Sequence, residues 1–83
     1  MTVKEFLAVN LFVNTIEELN DSIISTTKNI IVNSKDEIVA VEVFCRIESV
    51  YEESLTISYD MLVNYPNEVV KELHNLYDRV NEY

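Results

Sequence analysis

A chain of 83 residues, 48% hydrophobic and 25% charged, has the composition of a single soluble globular domain that buries about 60–65% of its unfolded surface. It holds no glycine, one His and one Cys, which excludes glycine loops that cradle phosphates, structural zinc sites and any disulfide framework within one chain. Fifteen Asp and Glu against six Lys and Arg leave a formal charge of -9. That field repels nucleic acid and anionic lipid, and attracts a basic protein partner.

The chain opens with Thr2-Val3-Lys4-Glu5, a capping box in which the Thr hydroxyl accepts from the Glu5 N–H while Glu5 reaches back. Val3, Phe6 and Leu7 fall on one helical face, which predicts a short helix over about 2–9. Residues 10–28 carry mixed signals. Leu11-Phe12-Val13 has the character of a strand, whereas Asn14-Thr15-Ile16-Glu17 is a second cap with Ile16, Leu19 and Ile23 at helical spacing. Ser22 to Asn29 reads as a loop or an edge strand.

Beyond this point the pattern is clear. Ile30-Ile31-Val32 is a short apolar run, closed by the polar turn Asn33-Ser34-Lys35-Asp36. A strand over 38–47 follows, with Val39, Val41, Val43, Cys45 and Ile47 on one face and Glu42, Arg46 and Glu48 in the other phase. Glu52-Glu53 is read as a turn. Leu55, Ile57, Tyr59 and Met61 then alternate with Ser54, Thr56, Ser58 and Asp60, which predicts a third strand. Pro66 suits the first turn of a helix. Val69, Leu73, Leu76, Val80 and Tyr83, widened by Val70 and Tyr77, give that helix an apolar stripe opposite a charged face. The fold class is α+β: a short N-terminal helix, a three- or four-stranded antiparallel meander, and a C-terminal amphipathic helix packed on one sheet face.

Few residues in this pattern can carry chemistry. His74 has only Asp78 one turn away and no third group to complete a catalytic set. Cys45 alternates in phase with Val41 and Val43, the position of a small buried hydrophobe rather than a reactive thiol. The acidic clusters lack calcium-loop spacing and its glycine. The expectation is a chain that is not an enzyme and binds no metal or cofactor. Its first turn holds Glu5 with no apolar leader, no apolar run approaches about 20 residues, and a lone Cys suits a reducing compartment, so a cytoplasmic protein with no membrane association is expected.

The outward phase of the strand 38–47 is the most informative feature for binding. If both helices cover the face of Val41 and Cys45, then Ile38, Ala40 and Phe44 lie on the other side of a central strand. Either residues 10–24 fold back over them, or they form a homodimer or partner-binding face. The candidate binding set is Ile38 and Phe44 with the nearby acids Glu48, Glu52, Glu53 and Asp60. The alternative is an inhibitor that mimics a nucleic-acid backbone, which needs carboxylates at the phosphate pitch of about 7 Å. The even phase of 38–47 is mixed rather than acidic, so mimicry would have to use the loops around 17–21, 48–53 and 60.

The opening Val3-Lys4-Glu5-Phe6-Leu7 resembles the start of small acidic accessory proteins carried by phages, plasmids and conjugative transposons of low-GC Gram-positive bacteria, as does the wider Ile-, Asn-, Glu- and Tyr-rich composition. The resemblance covers five of 83 residues and transfers no site residue. It implies a context, an accessory protein that binds a host or element protein and in some cases blocks a defence system such as restriction or CRISPR. The long acidic C-terminal helix lies outside it.

Overall fold

The computed structural model describes residues 1–83. The elements are α1 (Val3–Glu18), β1 (Ile24–Val32), β2 (Ile38–Ile47), β3 (Tyr51–Ser58), α2 (Tyr59–Asn64) and α3 (Pro66–Asn81). The strands form one antiparallel sheet in the order β1-β2-β3. All three helices pack on one face of it, so the class is α+β with two layers. No helix is long and apolar enough to cross a membrane.

Thr2 caps α1, its hydroxyl accepting from Glu5 N–H at 3.0 Å, but the expected return bond does not form, because the Glu5 carboxylate accepts from Tyr59 instead. The helix does not stop near residue 9. Ala8, Phe12, Thr15 and Ile16 are buried, and their spacing of three and four keeps one face against the core for more than two turns. Phe12, read as part of a possible strand, becomes one of the largest fully buried side chains. The second cap at Asn14 is absent because the helix runs through it. Thr15 satisfies its buried hydroxyl by donating to the Leu11 carbonyl at 2.7 Å.

Asp21 then turns the chain into β1. Its Oδ1 accepts from the N–H groups of Ile23 and Ile24 at 2.8 and 2.7 Å. Asn20 lies beside the strand as a partner would: its Nδ2 donates to the Thr26 carbonyl at 2.9 Å and its Oδ1 accepts from Thr26 N–H at 2.7 Å. The segment 22–29 is thus mainly an edge strand, continuous with Ile30-Ile31-Val32.

The two hairpin turns are built without glycine. Asp36 and Ser49 take the left-handed conformation, with φ of 60° and 53°. The second turn occupies 48–50, not Glu52-Glu53; both glutamates belong to β3. At the other end β3 finishes at Ser58, whose hydroxyl accepts from Met61 N–H at 3.3 Å and starts α2. Tyr59 and Met61 therefore leave the expected strand for a helix that buries Leu62 and Val63.

A cluster of 14 buried residues joins the layers. Phe12 and Ile16 of α1 with Leu19 at its C-cap, Leu62 and Val63 of α2, and Val69, Leu73, Leu76 and Val80 of α3 meet Ile24, Val41, Val43, Cys45 and Ile57 of the sheet. Tyr83 is not part of the buried stripe. It is 70% exposed and stacks on Tyr51 with ring centroids 4.2 Å apart. Three tyrosine hydroxyls donate to carboxylates: Tyr59 to Glu5 and Tyr77 to Asp21 tie elements together, and Tyr51 to Glu53 lies within β3.

The phase of β2 holds from Val41 to Cys45 and breaks at its start. Ile31 faces Ala40 and Val32 faces Ile38, which leaves Val39 without a partner on β1. This bulge exchanges the sides of two residues. Val39, expected in the core, is 49% exposed, and Ile38, expected on the outward face, packs against the core cluster.

Candidate interaction surface

With every helix on one side, the opposite face of the sheet has no cover. Residues 10–24 do not fold over it, because α1 packs on the other layer with α3. Strand pairing sets what this face presents. Phe44, in the middle of the central strand, has Thr27 of β1 and Ser54 of β3 directly opposite. One step along, Arg46 lies between Ser25 and Glu52; one step back, Glu42 lies between Asn29 and Thr56. The half-buried Phe44 ring is thus surrounded by hydroxyls, an amide and three charges, with the Ile31–Ala40 pair further along the same face.

Ser25, Thr27, Phe44, Arg46 and Glu52 enclose a shallow hollow of about 210 Å³. Arg46 and Glu52 face each other with Nη1 and Oε2 4.0 Å apart, both side chains more than half exposed. Such a pair contributes little to stability and is free to re-pair with an incoming group. Asn29 Nδ2 donates to Glu42 Oε1 at 3.3 Å across the neighbouring strands.

The six residues singled out from the sequence do not assemble into one site. Phe44 and Glu52 share the open face, and Glu48 stands exposed in the turn at its end. Ile38 lies on the helix side, beside Thr2, Glu5 and Tyr59. Glu53 also turns to the helix side. It accepts from Tyr51 Oη at 2.8 Å and from Arg79 Nε at 3.1 Å. These two donors, the tyrosine hydroxyl first, hold its pKa below the ordinary carboxylate range. Asp60 sits in the first turn of α2 and accepts from Asn64 Nδ2 at 2.8 Å. Glu52 and Glu53 each face an arginine, so this part of the chain presents no row of unpaired carboxylates at phosphate pitch.

Arg46, Thr27 and Ser54 were absent from the sequence-based set. Arg46 was legible in its phase, since it alternates with Cys45. Thr27 and Ser54 were not, because only the register with β2 brings them beside Phe44. The remaining candidates for chemistry stay apart. Cys45 is fully buried, His74 is exposed on α3, and no three His, Cys, Asp or Glu side chains converge as a metal site would require. No family model, curated protein or solved structure matches the chain.

Proposed function

We propose that this chain is a non-catalytic protein-interaction module that binds a basic protein partner through its open sheet face, in the setting of a mobile-element accessory protein. One observation carries the reading: the face around Phe44 has no covering layer, although the same sheet buries its other side completely along the centre of β2. An aromatic anchor ringed by hydroxyls and a loosely held ion pair has the make-up of an interface core with a polar rim. The surrounding charge of -9 steers a basic partner toward the molecule.

The test uses Phe44→Ala. Phe44 is only half-buried and has Thr27 and Ser54 beside it, so the variant should stay folded, its stability within about 1 kcal/mol of the parent by urea denaturation. Capture of the partner from a Gram-positive bacterial lysate should weaken by about tenfold or more, and the parent's affinity should fall with added salt. A collapsed urea midpoint, or capture equal to that of the parent, would overturn the proposal.

A further inference from the structure

The strongest apolar surface lies not on the sheet but on the outer side of α1. Val3, Phe6, Leu7 and Leu11 are 76%, 54%, 60% and 39% exposed. Val3, Leu7 and Leu11 recur every fourth residue and form one straight ridge, bordered by Phe6, Asn10 and Asn14. The ridge continues into a groove of about 380 Å³ whose walls include Leu7, Leu11, Val63 and Pro66. Only two charged side chains occur between Val3 and Ile16, and both are engaged by α2. Lys4 Nζ donates to Asn64 Oδ1 at 2.7 Å, and the Glu5 carboxylate accepts from Tyr59 at 2.8 Å.

We infer that this ridge is a self-association surface, on which α1 helices of two copies of the chain pack antiparallel about a two-fold axis. Charge selects the second copy over a basic partner. A basic protein is recognised by carboxylates, and the ridge presents none. A molecule of charge -9 approaches its own copy most readily where no carboxylate faces another. The spacing is self-complementary: with Leu7 on the axis, Val3 of each copy meets Leu11 of the other, as an isologous contact requires. Val3, Phe6, Leu7 and Leu11 expose on the order of 400 Å² per copy, about half of the roughly 800 Å² per partner of a stable interface, which suits self-association at micromolar concentration. The free edge of β1 is a poorer place for a second copy, since the Asn20 side chain already occupies the backbone of Thr26.

The contact is independent of the Phe44 face, and the experiment separates the two. Sedimentation of the full chain between about 1 and 300 μM should show a mass rising toward twice 9.7 kDa. Leu7→Glu and Leu11→Ser should each shift that transition by at least about tenfold in concentration, with the far-UV circular dichroism of the parent, because both positions lie outside the buried core. Phe44→Ala should leave the transition in place. Raising salt from about 0.02 to 0.5 M should strengthen association, because screening removes repulsion between like-charged copies while an apolar contact is spared. A parent that stays monomeric throughout would overturn the inference, including one that instead co-sediments with phosphatidylcholine vesicles. So would a dimer that survives both ridge variants, or one that Phe44→Ala dissolves.

Discussion

Cys45 shows how much a single position can report. It is fully enclosed between the helices and the sheet, opposite Thr26, whose hydroxyl donates to Sγ at 3.6 Å. Burial pushes the thiol pKa up, so the nucleophilic thiolate is scarce at neutral pH as well as inaccessible. A disulfide reagent in native buffer should therefore label Cys45 only as fast as the molecule opens, at least about a thousandfold more slowly than after unfolding in urea. Rapid native labelling would mean that β2 is inverted in phase, with Val41 and Val43 also turned outward. Glu53, opposite Cys45 on β3, shows the converse case, an acid whose surroundings rather than its residue type decide its use. Its bond to Arg79 holds β3 to α3, while the Tyr51 hydroxyl two residues back on the same strand fixes the carboxylate for it.

At the level of elements, the two turns flanking β2 contain the unusual backbone. Left-handed residues without glycine cost about 1 kcal/mol each, less for Asp, whose short polar side chain tolerates the conformation. Ser49→Gly should therefore stabilise the protein by about 0.5–1 kcal/mol, with part of the gain offset by the greater freedom of an unfolded glycine. Asp36→Gly should be nearer to neutral. Its turn is also tied by Asn33, whose Oδ1 accepts from Lys35 and Glu37 N–H at 2.8 and 3.1 Å. Urea midpoints of the two variants, measured side by side, check the order. A Ser49→Gly variant less stable than the parent would contradict the turn geometry.

Across the whole molecule, tyrosine–carboxylate bonds fasten α2 to α1 and α3 to the turn before β1, and they make stability depend on pH at both ends. The Asp21 pKa is lowered, first by the Ile24 N–H and then by the Tyr77 hydroxyl and the Ile23 N–H, and that of Glu53 is lowered by Tyr51 and Arg79. A folded-state pKa below the unfolded value of about 4 gives stabilisation that is complete above pH 4 and is lost as pH falls through the folded value. Tyr51, Tyr59 and Tyr77 have raised pKa values, mainly because each donates to a carboxylate. Their contribution is complete below about pH 10 and is lost as pH rises through the higher folded values. The urea midpoint should thus be level near neutrality and decline below about pH 4 and above about pH 10. Asp21→Asn, which keeps an oxygen to accept from Ile23 and Ile24, should flatten part of the acid-side decline. An unchanged slope below pH 4 would show that Asp21 is not a source of it.

The elements that sequence alone determined are those whose neighbours along the chain carry the whole signal. The cap at Thr2, the alternation from Val41 to Ile47 and the stripe Val69, Leu73, Leu76 and Val80 are such cases, because period and capping are local properties. Tertiary structure decided the rest. Apolar residues surround most of α1, so spacing could not tell that Ala8, Phe12 and Ile16 face the core while Val3, Leu7 and Leu11 face outward; packing against α3 and the sheet makes that choice. The exchange of Ile38 and Val39 depends on where β1 stops matching β2, a cross-strand register that no single strand encodes. The open face around Phe44 exists because helices from both ends of the chain share one side of the sheet, and which side an amphipathic helix covers is settled only when all of them compete for the same buried area.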